Sequence, residues 1–451
     1  MSMVRKFMAV LLAAALLLAG CAPVTPENTE AVYTAGFASV SLPVPTDSDE
    51  PLYIAGYHSG WEITGVLDEQ RAQAVWLDDG TTSLLLISVD SVGLSSATVA
   101  EIRNRLGDFV KQSGCDSVNV ISTHTHAGLD TLGLWGDIAM NGKNSDFMQT
   151  LIDGAVEAAQ AAYANRTTGK LTYTVTETAD LQEDSRDPQV YDKNLYQLRF
   201  VPDDAAKNAI RIWSFAAHAE ALRSENTKVS RDYPGAVSDR LKAETGDDLL
   251  YLPGAIGGLI MTPRMTPEPF DGEQNLAVTG QRIATVMQLK GRSRELQPEI
   301  AISRVTFDVA LDNTLFRYYR FLGILENEVH RGLFGGYTMK TELTLIRLGD
   351  LTLALLPGEL FPELVIGTGE DGDPTALREL AAEYGVEELM IIGLANDEIG
   401  YIVTPSDYVL DADLPYVQEA EGEHYEETNS VGREAACALA KAFEKALKKL
   451  K

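Results

Sequence analysis

Short, apolar, β-rich runs alternate with amphipathic helical patterns along most of this 451-residue chain, and no other sequence feature restricts the fold as much. Thr82–Val89, Ser117–Ser122, Leu171–Val175, Ala209–Ala216, Ile300–Val309, Leu343–Leu348, Leu351–Leu356 and Leu389–Leu394 read as buried strands. Between them, Ala97–Gln112, Asp146–Ala164, Ala236–Glu244, Asn275–Leu289, Pro374–Tyr384 and Ser430–Leu450 carry the spacing of helices packed on one face. Val305–Leu311 and Thr341–Arg347 alternate as antiparallel strands with one wet face do. Interspersed elements of both kinds predict an α/β fold with mixed sheets. Neither a linker-like composition shift nor a repeat of solenoid period interrupts residues 51–451, which predicts one large domain there.

The N-terminal residues 1–20 stand apart from that domain. A basic start at Arg5 and Lys6 precedes the apolar run Phe7–Leu18, which is too short to span a bilayer of roughly 30 Å and has the form of a secretory signal. It closes on Leu18-Ala19-Gly20-Cys21, which resembles a bacterial lipobox. The expectation is a lipoprotein of the bacterial cell envelope, exported and tethered through lipidated Cys21. Residues 21–50 have tether composition, although Ala35–Val44 is apolar enough for a first strand. With Cys21 lipidated, Cys115 and Cys437 remain, and two distant thiols make no disulfide framework. Formal charge is −29, and losing Arg5 and Lys6 takes it to −31. Such a chain repels nucleic acid and does not adhere electrostatically to anionic lipid. A lipid substrate is then reached through the anchor or an apolar pocket, and no required protein partner is evident.

Of the six histidines, His124 and His126 directly follow the run Ser117–Ser122. In extended backbone their side chains share a face at a strand end, where α/β sheets bind ligands. Imidazole pairs suit a divalent metal, although such pairs are as often structural. His218 follows the run Ile210–Ala217, Glu359 follows Leu351–Leu356 through the Pro357-Gly358 turn, and Asn396–Tyr401 follows Leu389–Ala395. Singly, these read as a core histidine, a helix-start glutamate and a polar loop. Jointly they place nitrogen and oxygen ligands at several strand ends, as a metal site with an open water position requires. Asp90 ends Thr82–Val89 and reads either as a cap or as a carboxylate orienting one of the paired histidines. His58 lies in a glycine-flanked loop that suits a pocket entrance, and His330 reads as part of a surface helix.

At this point the chain resembles the neutral/alkaline ceramidase family, in its catalytic N-terminal domain. The resemblance runs through Tyr53-Ile54-Ala55-Gly56-Tyr57, Thr123-His124-Thr125-His126, Asp184-Ser185-Arg186-Asp187-Pro188, Phe215-Ala216-Ala217-His218, Ser224-Glu225-Asn226-Thr227, Pro357-Gly358-Glu359, Asn396 through Thr404, and His424-Tyr425-Glu426. It implies zinc held by His124, His218, Glu359 and Tyr401. It further implies that His126, Arg186 and Tyr425 contact the scissile amide or released carboxylate, with Tyr408 the competing position for Tyr425. Two departures stand out. Thr262-Pro263 occupies the place of a serine-proline, with no nearby aspartate, and the chain stops at Lys451 where an immunoglobulin-like domain would follow. The expected function is zinc-dependent hydrolysis of an amide in an N-acyl lipid or related small molecule. The alternatives are a metal-dependent hydrolase of another amide or ester, and a non-catalytic, lipid-anchored binding protein.

Overall fold

The computed structural model describes residues 31–178, 180–332 and 335–450. The signal segment, Cys21 and the first part of the tether lie outside the described residues. From Val32 onward the chain forms one compact unit. Among the described residues the strands, in chain order, are β1 (Tyr33–Leu42), β2 (Gly65–Val66), β3 (Gln70–Asp78), β4 (Ser83–Val89), β5 (Ser117–Ser122), β6 (Thr167–Glu177), β7 (Asn194–Pro202), β8 (Ile210–Phe215) and β9 (Lys228–Val229). They continue with β10 (Asp248–Pro253), β11 (Arg292–Glu295), β12 (Ile300–Ala310), β13 (Val329–Arg331), β14 (Tyr337–Leu348), β15 (Leu351–Leu355), β16 (Glu359–Leu360), β17 (Glu388–Ile392) and β18 (Tyr401–Ile402).

A nine-stranded sheet has the order β10-β8-β7-β6-β1-β3-β4-β5, with β11 added beside β6. A five-stranded sheet has the order β12-β14-β15-β17, with β13 beside β14. Both are mixed: β4–β5, β8–β10 and β15–β17 pair in parallel, whereas the long β12–β14 pair is antiparallel. Residues 33–42, open to tether or strand from sequence, are a strand bonded to both β3 and β6.

The sheets pack against each other through an apolar core. Val75, Leu84, Leu198 and Ile212 of the first meet Ile346, Leu353, Leu355 and Met390 of the second. Helices cover the remaining faces. Ser145–Ala164 buries Phe147, Leu151 and Ala155 on one side, and Asp232–Thr245 with Gly272–Met287 covers the β8–β10 region. Ala435–Leu447 covers the outer face of the five-stranded sheet with Leu439 and Phe443. The predicted helix Ala97–Gln112 is two helices, Ser96–Arg105 and Gly107–Ser113, broken at Leu106. His330 lies on β13 rather than on a helix, exposed and paired with Glu328.

The parallel strands bring their carboxyl ends together where the sheets meet. Extended residues beyond β5 and β8 form a parallel bridge, Thr125 to Ala219, and Ile121 bridges Ala395 beyond β17. Glu359 pairs in parallel with Tyr401. One point of the fold therefore gathers the segments that follow β5, β8, β15 and β17.

Candidate active site

The Thr125–Ala219 bridge sets the register of the site. His124 precedes and His126 follows the bridge residue; with a left-handed backbone at φ 62°, His124 lies beside His218, ring centroids 4.8 Å apart, and His126 lies beside Glu220. The Nδ1 atoms of His124 and His218 lie 2.6 and 2.8 Å from the backbone oxygens of Val92 and Ile260. Donation from Nδ1 to those carbonyls turns each Nε2 towards the cluster. Glu359 Oε2 sits 3.0 Å from His218 Nε2 and 3.3 Å from His124 Nε2, and His126 Nε2 is 3.1 Å from His124 Nε2. Tyr401 is buried against Glu359.

This donor set fits a divalent metal. Ligand atoms bound at roughly 2.0–2.1 Å in a tetrahedron stand about 3.3 Å from one another, close to the spacing of these imidazole and carboxylate atoms. The ligand atoms of His124, His126 and His218 also lie within 4.8 Å of one another, so a three-histidine set is available beside the His124–His218–Glu359 set.

The electrostatics separate the two kinds of histidine. Burial, reinforced by the neighbouring imidazoles, holds His126 neutral, with its pKa well below the ordinary histidine range. Burial lowers His218 in the same way, but hydrogen bonding and charge from Glu359 override it and raise His218 to about 9. Glu359 is depressed in spite of its burial, because two imidazoles face it. Burial lifts Tyr401 well above the usual phenol range, and the Glu359 charge adds to this.

Backbone strain marks the same place. His124, Leu394 and Asn396 have positive φ values of 62°, 49° and 67°, uncommon for residues with side chains and frequent at functional sites. Gly56 has φ 114°, and a Cβ there would stand 2.6 Å from His126 Cβ. Only glycine lets this loop close over the imidazole.

Two cavities meet at His126, sharing Gly56, Tyr57, Tyr401 and Tyr425 in their walls. One, of about 230 Å³, is largely apolar, lined by Leu132, Trp135, Phe316, Tyr319 and Met339, and reaches His124 and Glu359. The other, of about 660 Å³, includes Glu183, Glu220, Arg223 and Arg264.

Not every expected residue reaches this point. Tyr425 does, lining both cavities 6.2 Å from the Tyr401 ring; it is 40% exposed, while desolvation of its hydroxyl and the Glu359 charge raise that group to about 12. Tyr408 is instead packed in the core behind. Arg186 lines neither cavity. Its guanidinium is buried against Asp407 and Glu426 at 2.8 Å each and Glu427 at 3.3 Å, so its donors are already engaged. Asp90 touches neither paired histidine. It accepts from the Arg71 amide at 2.8 Å, and the Val92 carbonyl supplies the orienting contact to His124 instead. Thr262 is fully buried outside both cavities, and its hydroxyl has no partner. At the entrance, Tyr57 and Ser59 line the apolar cavity, while His58 stacks on Trp61.

Sequence reasoning missed three residues. Tyr57 packs edge-on to His126 at 5.1 Å and donates to Glu220 Oε2, which lies 3.6 Å from His126 Nδ1. The alternation that selects His126 beside His124 selects Glu220 beside His218 equally well. Glu398 borders the apolar cavity with Oε2 unpartnered, and burial followed by the Glu359 charge keeps its pKa far above the usual carboxylate range.

Fold and site together define an α/β protein with a histidine–carboxylate cluster opening on an apolar cavity. Residues 52–251 match the family model for neutral/alkaline non-lysosomal ceramidase, N-terminal, so the family resemblance read from the motifs holds over that span. The fold is similar to that of neutral ceramidase from Pseudomonas aeruginosa, with a TM-score of 0.70 at 16% identity, covering 93% of this chain and 74% of that one. A ceramidase complexed with C2 is similar too, with a TM-score of 0.68 at 16% identity over 93% and 75% of the two chains. No curated protein sequence matches the chain.

Proposed function

We propose that this chain is a zinc-dependent amidohydrolase that cleaves an N-acyl lipid or related amide to a carboxylate and an amine. The observation that carries this reading is the convergence of His124, His126, His218 and Glu359 beside an apolar cavity. Family and fold likeness support it from outside the site. His124, His218, Glu359 and Tyr401 would hold the metal. Zinc, when bound, lowers the pKa of a water towards ~7 and polarises a carbonyl.

The remaining work falls to this chain's own side chains. His126 is the base. Its neutral form supplies a ring-nitrogen lone pair, and Nε2 faces the cluster 3.1 Å from His124 Nε2. It takes one proton from the attacking water as the carbon–oxygen bond forms, then delivers it to the amine nitrogen as the carbon–nitrogen bond breaks. Tyr425 stays protonated at neutral pH and donates to the acyl oxygen. The apolar cavity takes the chain of the substrate and excludes water around the reacting carbonyl. Arg186 has no step here, because its ion pairs hold it in the wall behind the site.

Purified protein assayed on fluorogenic N-acyl amides and matched esters, before and after chelation and with zinc restored, tests the reading. Amide turnover lost to chelator and regained with zinc is expected. Turnover insensitive to chelation, or confined to esters, overturns it. The proposal includes processing at Cys21, for which intact mass of the protein from a bacterial host should show residues 1–20 removed and acyl chains added.

A further inference from the structure

The carboxylates in the wall of the apolar cavity are unevenly matched. Glu326, Glu359 and Glu398 line it, and among the described residues no lysine or arginine does. Two of the three are accounted for. Glu326 is paired with Lys143 at 2.6 Å, and Glu359 faces His218 and His124 at 3.0 and 3.3 Å. Glu398 is the exception. It is 8% exposed, its Oε1 accepts from the Gly400 amide at 2.7 Å, and its Oε2 has no partner.

Neighbouring contacts fix where this side chain lies. The Glu398 carbonyl accepts from Asn327 Nδ2 at 2.9 Å, and the same nitrogen donates to Asp397 Oδ1 at 2.7 Å. Both amide hydrogens of Asn327 are thus engaged, so this member of the cavity wall has none left for Oε2. On the other side, a Cβ at Gly93 would stand 2.8 Å from Glu398 Cγ and 2.9 Å from Leu132 Cδ1. Glycine leaves room there for the glutamate to lie beside an apolar neighbour. A carboxyl group in such surroundings stays uncharged or acquires a cation. Alone, burial and the Glu359 charge hold its proton. A cation entering the cavity brings the charge that the wall lacks. Trp135, Phe316 and Tyr319 line the same cavity, and the faces of such rings attract ammonium groups. One unmatched carboxyl oxygen, aromatic rings and aliphatic side chains together fit a cationic head joined to an apolar chain.

We infer that the apolar cavity is a site for a chain-bearing primary ammonium, whose N–H donates to Glu398 Oε2 while the chain lies along Leu132, Phe316 and Met339. Resting on the amidohydrolase reading, this also orients the substrate. The amine half of the amide occupies this cavity, and the acyl half turns to the cavity that holds Arg223. Hydrolysis breaks the carbon–nitrogen bond and joins the water oxygen to the acyl carbon. Both hydrogens of that water end on the nitrogen, which leaves as an ammonium beside a carboxylate product.

Calorimetric titration of the purified full chain, supplied with zinc, with octylammonium and with 1-octanol tests this. Octylammonium should bind at least about tenfold more tightly, the effect of one charge-assisted hydrogen bond in a buried site. Glu398→Gln should bring the ratio of the two affinities to about one by weakening octylammonium and leaving octanol as it was. Equal affinity for the two probes in the unaltered chain overturns the inference, whether or not the variant folds. So does a ratio that survives Glu398→Gln. A preference that disappears when zinc is chelated overturns it too, since that marks a free amine bound to the metal. No part of this test involves turnover. Amide hydrolysis without an ammonium preference would therefore sink the inference and leave the hydrolase reading standing. An ammonium preference in a chain that hydrolyses nothing would do the reverse.

Discussion

Two buried polar clusters lie close to each other in this molecule and are used in opposite ways. Around Arg186, one guanidinium meets Asp407, Glu426 and Glu427, so the cation is spent on the chain's own carboxylates. Around His124, three imidazoles and Glu359 turn donor atoms towards one another, and His126 Nδ1, Glu220 Oε1 and Glu398 Oε2 have no hydrogen-bond partner. Unpartnered buried polar atoms are costly. The His124 cluster keeps several of them on one set of facing side chains, whereas in the Arg186 cluster the guanidinium is fully engaged and Glu426 Oε1 is the buried oxygen left without a partner. Charge and burial alone do not tell these apart. What tells them apart is that one cluster surrounds a cation of its own and the other turns imidazole nitrogens and a carboxylate towards one another.

Substitutions can break this comparison, beginning with the largest effect. His218→Ala should lose bound metal and reduce amide turnover by more than the about 10²–10⁴ expected from loss of a general base alone. Metal content by mass spectrometry checks it, and a full equivalent of zinc retained would remove His218 from the ligand set. His126→Ala should keep its metal and lose turnover by about 10²–10⁴, with KM little changed. Arg186→Met belongs to the other cluster. Removing one partner of a buried ion network costs roughly 3–5 kcal/mol, so urea unfolding should shift while molecules that remain folded keep their KM. A fall in kcat with unchanged stability would instead place Arg186 in the chemistry.

The smallest expected effect concerns pH. Burial raises Asp397 to about 7, although its Oδ1 accepts from Ser96 N and Asn327 Nδ2 at 2.7 Å each. The folded state therefore binds this proton more tightly than the unfolded chain, whose carboxyl titrates near ~3.9. Its stabilising contribution is full below the unfolded value and is lost as pH rises through about 7. Asp397→Asn should flatten the decline in stability between roughly pH 4 and pH 7, measured as the urea midpoint across that range.

Much of the fold was legible because burial on both faces writes a continuous apolar run. β4, β5, β15 and β17 are of that kind. β7 escaped because Gln197 and Arg199 interrupt it, and only tertiary partners, the Met287 carbonyl and Asp247, explain those residues in a strand. β3 hid similarly behind Arg71 and Gln73. At the site, His124, His218, Glu359 and Tyr401 come together from strand-end positions visible in the sequence. The role of Arg186 was not legible, since a motif fixes a residue type but not which carboxylates fold around it. Glu220 was within reach of simple alternation and Glu398 was not, because its isolation is a property of the packed cavity.

The bridge between Thr125 and Ala219 bears on timing. His218 and Glu359 are 141 residues apart in the chain, and they reach each other only after both sheets have formed. Contacts of such long range tend to form late in folding. A chain still folding thus holds His124 and His126 without His218 and Glu359, and the complete donor set exists only in the finished fold.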